Sequence, residues 1–363
     1  MNWILIGSLL IALLIGGGIS FFAYKTRKIK PNGFIELIRQ HPESTSLKVQ
    51  RNGDVIAAHQ ENLMLPLAST AKLVIAVEYA KQAASGTLDP DEKVTLGELE
   101  PFYFKRTDGG AHAAWLKEIN HQDPVTLAQV AEGMMHYSSN ANTDYLIHRL
   151  GLDRINESLE EIGLMDHEPI FPFVSALAVP YTLMTEQNLT HEGANAEVRE
   201  LSKEEYRNMT VMIMNRWLKL PLTDAEKQQV LKTLNAPAQR NWSDHLTRSN
   251  AKTYTAFMEK LNSKTFFSTG VHSHLDPLLE PLMESPHNQE WLKHAGQKGG
   301  STPHVLTFSL YATDLEGNRT EISFFADNLV LLDQMRLSKS MNDFQKAILR
   351  DESFRRDLTE SLR

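Results

Sequence analysis

The chain has 363 residues with 42% hydrophobic and 23% charged side chains, an ordinary balance for a globular protein of one large domain or two modest ones. Its net charge is −8, and the first 30 residues carry four basic side chains and no acid, so the body is acidic and nucleic acid is not expected as the main partner. The chain has no cysteine, which excludes disulfides, thiolate metal sites, a cysteine nucleophile and a cysteine-linked lipid anchor.

A mostly apolar run of 22 residues, 3–24, carries no charge and is long enough to span a bilayer. We predict a transmembrane anchor there. A cleaved signal peptide is the alternative, but the run lacks a basic start and a small-residue cleavage site. The basic cluster at 25–30 follows the run, and the positive-inside rule would place that side in the cytoplasm.

The body opens with a predicted amphipathic helix at 34–39 and a β-hairpin. Two strand-like runs, 46–51 and 54–58, flank Asn52-Gly53, a pair typical of type I′ hairpin turns. A nearly continuous apolar helix follows at 67–85, and Gly86 ends it.

The middle of the chain is predicted to be helical, and strands return near its end. Residues 87–125 are polar and punctuated by Pro and Gly, so loops and short helices are expected. Residues 186–248 are rich in Glu, Asn, Lys and Thr and are interpreted as a helical insertion. Helices are predicted at about 126–135, 143–150, 152–162, 206–218, 224–234, 251–261, 275–283 and 340–349, and strands at 304–314 and 320–326.

This order predicts an α+β fold, in which both chain ends form an antiparallel sheet flanked by helices, beside an all-helical region. We expect a membrane anchor with a basic flank at 1–30 and one domain at 31–350. That domain would contain the insertion at 186–248, and a C-terminal tail would follow at 351–363.

The apolar helix at 67–85 begins with two polar side chains, Ser69 and Lys72, which lie three residues apart on one face of its first turn. A lysine in a core helix is costly unless it has a partner or a task. Burial also lowers the pKa of a lysine, which makes it a plausible base for a nearby hydroxyl. The spacing fits a Ser-x-x-Lys nucleophile, although capping and a solvated lysine are the usual meaning of this spacing.

Three polar motifs occur in a fixed order: Ser69-Thr70-Ala71-Lys72, then Ser138-Ser139-Asn140, then Lys298-Gly299-Gly300 directly before a strand-like run. This resembles the penicillin-recognising serine hydrolases, the class A β-lactamases and D-Ala-D-Ala peptidases, whose motifs are Ser-x-x-Lys, Ser-Asp-Asn and Lys-Thr-Gly. The resemblance covers roughly residues 33–350, with 186–248 outside it.

The resemblance implies a catalytic role for three residues. Ser69 would be the acylated nucleophile, and Lys72 would take or relay its proton. Ser138 would pass a proton toward the leaving group.

The resemblance also implies a set of substrate-binding residues. Asn140 would position the substrate amide and steady Lys72, and Lys298 would supply positive charge opposite a substrate carboxylate. The backbone N–H groups of Ser69 and Ser301 would form the oxyanion hole, and such donors contribute about 3 kcal/mol each. Gly299 and Gly300 would let the strand lie close to the substrate.

Two motif positions depart from the family pattern. Ser139 stands where aspartate is usual, at a position that often points away from the substrate. Gly299 stands where a hydroxyl normally helps to bind a carboxylate, which weakens the expectation of β-lactam recognition unless Ser301 or Thr302 supplies that hydroxyl.

The deacylation machinery departs further. Class A β-lactamases release the acyl group with a loop glutamate that acts through a water molecule. The equivalent region, about 165–185, has no glutamate in the expected setting, and neither Glu168 nor Glu186 matches the motif. Slow hydrolysis of an acyl-enzyme is therefore expected, and an efficient β-lactamase is not.

Two other groups of side chains have the chemistry for a metal site or a triad. His272, His274 and Asp276 have poor spacing for a metal site, and a surface loop is the simpler interpretation. Asp244-His245 is a weak candidate for a triad with Ser69, because Lys72 already offers a base. No cofactor or metal is expected.

We therefore expect a membrane-anchored serine hydrolase that acts on a peptide amide or ester, for example a cell-wall peptide or a β-lactam-like compound. Two alternatives stay open: a penicillin-binding or sensing module without turnover, and a glutaminase-type amidase. The domain is expected outside the cytoplasm because the substrates of the family are found there, although the charges at 25–30 argue the other way.

Overall fold

A five-stranded antiparallel sheet built from both chain ends frames the computed structural model, which describes residues 29–362. Its strands are β1 (Thr45–Arg51), β2 (Asp54–His59), β3 (Leu292–Ser301), β4 (Leu306–Asp314) and β5 (Arg319–Ala326). Their order across the sheet is β2-β1-β5-β4-β3, so β2 and β3 are the edges. The predicted α+β fold is confirmed.

Helices cover both faces of the sheet and form the all-helical region. The α-helices are Asn32–Gln40, Lys72–Ser85, Leu96–Leu99, Ala111–Glu118, Leu127–Met135, Asn140–Leu150, Leu152–Glu161, Val179–Gln187, His191–Glu200, Lys203–Lys219, Asp224–Thr233, Ala236–His245, Ala251–Ser263, Thr269–Leu279, Pro286–Gln289, Leu331–Arg350 and Glu352–Ser361. Short 3-10 turns are Pro42–Ser44, Ala68–Ala71, Glu100–Phe102, Ser175–Ala178 and Pro281–Glu284. Two-residue strand pairs join Leu65–Pro66 to Arg248–Ser249 and Lys93–Val94 to Val125–Thr126.

The anchor predicted at 3–24 lies outside the described residues. Between residues 29 and 362, none of the helices combines the length and the apolar character needed to cross a bilayer.

The two faces of the sheet pack against different helices because successive residues of a strand point to opposite sides. Phe324 of β5 faces the terminal helices, where its ring centroid lies 5.4 Å from that of Phe34, and Phe34 stacks on Phe344 at 4.3 Å. The next residue, Phe325, packs against Tyr254 of helix Ala251–Ser263 at 5.4 Å. Helix Lys72–Ser85, which we call the central helix, is buried in the core on this second side.

Local signals identified several elements correctly. Asn52 and Gly53 have φ values of 52° and 89°, the left-handed conformation that a type I′ turn requires. Gly86 ends the central helix with φ 73°. Thr126 caps helix Leu127–Met135 by accepting a hydrogen bond from the backbone N–H of Gln129, as predicted.

The strand-like run predicted after the Lys298-Gly299-Gly300 motif forms β4, but the strand before and around the motif is longer than the sequence indicates. The motif lies within β3, a ten-residue edge strand that pairs with β4 along its length. The sequence pattern does not predict the full strand, because glycine has low strand propensity and β3 contains Gly296, Gly299 and Gly300. β3 owes its extended form to pairing with β4.

The C-terminal part also differs from the prediction. The last long helix begins at Leu331 instead of residue 340. Residues interpreted as a tail form helix Glu352–Ser361, which Asp351 caps and which buries Phe354 and Leu358. Helix Thr269–Leu279 begins six residues before the predicted start at 275, because Ser268 caps it.

The segment predicted as a helical insertion is helical, and it shares a hydrophobic cluster with residues outside it, among them Phe104 and Phe171. Tyr206, Ile213 and Trp217 of helix Lys203–Lys219 pack there. The Tyr206 hydroxyl donates to the carbonyl of Ala176 at 2.9 Å, which ties this layer to the turn at Ser175–Ala178.

Candidate active site

The three polar motifs meet in one cleft of about 480 Å³, between the start of the central helix, the corner at 138–140 and the edge strand β3. Lys72 and Lys298 lie buried beneath it and donate hydrogen bonds to Ser138. The cleft is lined by the other predicted site residues, Ser69, Ser138, Asn140, Gly299, Gly300 and Ser301. The structure thus brings together all eight residues, whose individual roles stay predictions.

Ser69 lies in the 3-10 turn Ala68–Ala71, and the α-helix begins only at Lys72. The preceding residue, Ala68, has φ 45°, an uncommon and strained conformation for a residue with a side chain. Thr307 of β4 holds this turn, because its hydroxyl donates to the carbonyl of Leu67 at 2.8 Å and lies 2.8 Å from the Thr70 hydroxyl. The sheet therefore fixes the position of Ser69.

Lys72 is completely buried, and its ammonium group binds the corner at 138–140. Its Nζ donates to the Ser138 carbonyl at 2.7 Å, to Asn140 Oδ1 at 2.8 Å and to Ser138 Oγ at 3.3 Å. Desolvation, together with the positive charge of Lys298, holds the pKa of Lys72 well below its usual value, while Asp108 and Asp144 act in the opposite direction. Lys72 points to Ser138 rather than to Ser69, and it is suited to hold or release a proton near the Ser138 hydroxyl.

Lys298 approaches the same hydroxyl from β3. Its Nζ donates to Ser138 Oγ at 3.0 Å, and burial lowers the pKa of Lys298 to about 8. Ser138 itself has φ 68°, so its backbone is held in the left-handed region. The Ser138 hydroxyl therefore lies between two amines and can pass a proton between Lys72 and a group bound in the cleft.

Ser139 points away from the cleft. Its hydroxyl accepts a hydrogen bond from the backbone N–H of Asn142 at 3.2 Å, capping helix Asn140–Leu150, and lies 2.9 Å from Nδ1 of His112. His112 is buried, also contacts Asn142 Oδ1 at 3.0 Å, and supports the corner from behind. The sequence offered no signal for His112, because an isolated histidine among alanines shows no pattern.

Gly300 brings the backbone of β3 against the turn that carries Ser69. A Cβ atom at position 300 would lie 2.5 Å from the Ser69 nitrogen and 2.7 Å from the Leu67 carbonyl oxygen, so no side chain fits. The neighbouring Gly299 has room, because a Cβ there would meet the Thr307 carbonyl oxygen at 3.5 Å and Met341 Cε at 3.6 Å. Close approach at Gly300 therefore brings β3, which ends at Ser301, against the turn that carries Ser69.

An apolar segment occupies the region where the resemblance implies a deacylating base. The Phe173 ring centroid lies 5.3 Å from Lys72 Nζ, and Phe173 also lines the cleft. Asp144 fixes this segment by accepting hydrogen bonds from the backbone N–H of Phe173 at 2.6 Å and of Val174 at 2.8 Å. Burial raises the pKa of Asp144 to about 7.

Glu168 and Glu186, the glutamates nearest to the expected position of a deacylating base, form ion pairs away from the cleft. Glu168 pairs with Lys203 and accepts a hydrogen bond from the Arg248 backbone N–H at 3.2 Å. Glu186 pairs with Arg216 at 2.8 Å on the surface. Neither is among the described residues that line the cleft.

The other two candidate groups also lie apart from the cleft. His272 contacts Asp276 at 3.0 Å within one helix, and residues 29–362 contain no cluster of three or more side chains arranged to hold a metal. Asp244 pairs with Arg240, and His245 stacks on Tyr206 at 4.3 Å.

The sequence does not indicate several of the residues that line the cleft, because only the fold brings them near the motifs. Asp108 comes from the loop before helix Ala111–Glu118, and Trp242 comes from the segment predicted as an insertion. Helix Leu331–Arg350 forms one wall with Leu331, Gln334, Ser338 and Met341.

Comparison with known proteins supports the resemblance. Residues 34–270 match the model of the β-lactamase enzyme family. No curated protein matches the chain in sequence.

Solved structures share the fold at low sequence identity. A β-lactamase from Sphaerobacter thermophilus has 14% identity and a TM-score of 0.55, with 88% of this chain and 97% of that chain covered. The chromosome-encoded β-lactamase of Vibrio parahaemolyticus has 12% identity and a TM-score of 0.54, covering 89% and 100%. A class A β-lactamase from Bacteroides cellulosilyticus has 13% identity and a TM-score of 0.50, covering 92% and 98%.

Substitution Gly300→Ala is expected to reduce the rate of Ser69 modification by roughly 100-fold, because the added Cβ must push β3 away from the Ser69 turn. The measurement is the rate of covalent labelling at Ser69, followed by mass spectrometry, beside the melting temperature. Gly299→Ala is the matched control and should lose much less, since its Cβ has space. Equal losses in the two variants would contradict the close-approach argument.

Proposed function

The chain belongs to the β-lactamase enzyme family, and we propose that it is a serine hydrolase whose Ser69 forms an acyl-enzyme with a peptide amide or ester and releases it slowly. The observation that carries the proposal is the buried Lys72 amine. It lies against Ser138 and Asn140, beneath a cleft that Ser69 lines.

Acylation uses groups that line the cleft or lie directly beneath it. The neutral amine of Lys72 turns from Ser138 toward Ser69 and takes the proton of the Ser69 hydroxyl as Oγ attacks the substrate carbonyl carbon. The backbone N–H groups of Ser69 and Ser301 stabilise the negative charge on the carbonyl oxygen. The proton then passes from Lys72 through the Ser138 hydroxyl, which lies 3.3 Å away, to the leaving nitrogen or oxygen as its bond to carbon breaks.

Release of the acyl group lacks an evident base. The side chain that faces Lys72 from the 171–175 segment is the ring of Phe173, which cannot activate a water molecule. Because Asp144 fixes the backbone of this segment, Phe173 stays in place. This observation favours a second candidate function, a binding or sensing module in which the acyl-enzyme persists.

We further propose that residues 3–24 anchor the protein in a membrane, with the domain outside the cytoplasm. The support is the length of the uncharged run and the extracytoplasmic location of the family's substrates. The backbone N–H of Ile29 donates to Ser340 Oγ at 2.8 Å, so the chain joins the domain at the helix that also forms a wall of the cleft.

The acyl-enzyme is tested with a thioester of N-benzoylglycine and mercaptoacetamide. We expect an acyl adduct that peptide mapping places on Ser69, no adduct in Ser69→Ala, and acylation slowed by about 10²–10⁴-fold in Lys72→Ala. Lys81→Ala removes a surface lysine from the same helix and is the control. An adduct that survives Ser69→Ala would end the proposal.

Slow release is tested by restoring a carboxylate. Phe173→Glu is expected to shorten the lifetime of the acyl-enzyme at least tenfold, because a carboxylate beside Lys72 can activate a water. Phe173→Gln has a similar size without the charge and should not show this gain. The lifetime is read by mass spectrometry after excess thioester is removed; equal lifetimes in the Glu and Gln variants would count against the argument.

The rate of acylation should be bell-shaped in pH. It rises as Lys72 loses its proton and becomes a base, and it falls above about pH 8 as Lys298 loses its positive charge beside Ser138. In Lys298→Arg the charge persists, so the fall should move to higher pH. A wild-type rate that still rises through pH 9 would contradict the role given to Lys298.

Orientation is tested by fusing a reporter that is active in only one compartment to the C-terminus of the full chain. We expect activity from a reporter that works outside the cytoplasm and silence from one that works inside. The reverse pattern would support the charge rule and place the domain in the cytoplasm.

A further inference from the structure

The side chains that line the cleft carry little positive charge. Among the described residues, Asp108 is the charged side chain of the lining, and no lysine or arginine belongs to it. Asp108 is held in place because its two oxygens accept hydrogen bonds from the backbone N–H of Gly110 at 3.1 Å and of His112 at 3.0 Å. The cleft therefore presents a fixed negative charge to whatever enters it.

The two lysines beneath the cleft, and two arginines near Trp242, already have partners. Lys72 and Lys298 are buried and direct their Nζ atoms to Ser138. Burial and the charge of Lys298 hold the pKa of Lys72 well below its usual value, which weakens the positive charge beneath the cleft. Behind Trp242, Arg240 and Arg248 share Asp327 at 3.5 and 3.7 Å, so their charges are offset.

The wall beside Gly299 is largely apolar. A side chain at position 299 would point at Met341 Cε, 3.6 Å from its Cβ, so this position offers a methionine where the family motif offers a hydroxyl. Leu331, Leu306 and Pro303 extend the same lining. A carboxylate placed here would find no hydroxyl from residue 299 and no guanidinium in the described lining, so less of its lost hydration would be replaced.

The polar groups of this wall are neutral. Gln334 and Ser338 lie on the face of helix Leu331–Arg350 that lines the cleft, and Gln334 Nε2 donates to Ser338 Oγ at 3.2 Å. They can bind an amide or an ester oxygen, but they supply no counter-charge for an anion.

We infer that the cleft selects acyl compounds whose leaving group carries no carboxylate, and that it accepts a neutral or cationic group along the Gly299–Met341 wall. This inference rests on the proposed function and narrows its substrate class. It departs from the expectation that a substrate carboxylate binds opposite Lys298, because position 299 offers no hydroxyl and Asp108 is the charged side chain of the described lining.

The test uses three thioesters of N-benzoylglycine that share the acyl group and differ in the leaving group: mercaptoacetate, mercaptoacetamide and thiocholine. Attack by Ser69 Oγ breaks the carbon–sulfur bond and releases the thiol, which is measured directly. Each rate is divided by the rate of spontaneous hydrolysis of the same ester, which removes differences in intrinsic reactivity. We expect the anionic ester to react roughly tenfold or more slowly than its neutral isostere, and the cationic ester to react at least as fast as the isostere.

Variants locate the source of the selectivity. Asp108→Asn keeps a capping oxygen but removes the charge, so it should reduce the preference for the thiocholine ester over the anionic one. Asp351→Asn is the matched control, because Asp351 also caps a helix by accepting hydrogen bonds from two backbone N–H groups, at 2.9 and 3.2 Å, and does not line the cleft. Gln334→Arg adds a cation to the wall and should raise the rate with the anionic ester selectively.

The outcomes separate this inference from the proposed function. If the anionic ester reacts fastest after normalisation, or a fluorescent penicillin acylates Ser69 faster than the neutral ester, the substrate inference is overturned and the serine hydrolase stands. If none of the thioesters acylates Ser69, the proposed function fails and the inference fails with it. If the rates follow the expected order, and Asp108→Asn weakens the preference for the thiocholine ester while Asp351→Asn does not, the result supports both the substrate inference and the proposed function.

Discussion

The amine of Lys72, buried at the start of the central helix, is the group on which the arrangement of the cleft depends. Removing an ammonium group from water is costly, and the protein offsets that cost with three oxygens from the corner at 138–140. The corner must therefore stay where it is, and His112 and the cap of Ser139 hold it from behind. Structural stability and the proposed chemistry depend on the same contacts.

The second constraint is the contact of the edge strand β3 with the turn that carries Ser69. Gly300 allows it, and Thr307 on the neighbouring strand secures the turn from the other side. Ser69 thus lies between an element from the first quarter of the chain and one from the last. A backbone contact of this kind is more rigid than a side-chain contact, which suits donors that must face a developing negative charge.

Much of this could be predicted from the sequence wherever a local signal existed. The Asn52-Gly53 turn, the Thr126 cap and the three polar motifs are short patterns, and each was found in its expected place. The full length of β3 could not be predicted, because its glycines disfavour a strand and its extended form depends on pairing with β4. Asp108, Trp242 and Met341 were missed because proximity to Ser69 is a property of the folded chain alone.

The pairing of β1 with β5 joins residues that are far apart in the chain, for example Thr45 with Ala326. During synthesis, β1 and β2 leave the ribosome long before their neighbour in the sheet exists. Closing such a distant pair costs chain entropy and makes folding slow. The edge of the β1–β2 hairpin therefore stays unpaired until the last quarter of the polypeptide has been made, and during that time it can pair with strands of other molecules.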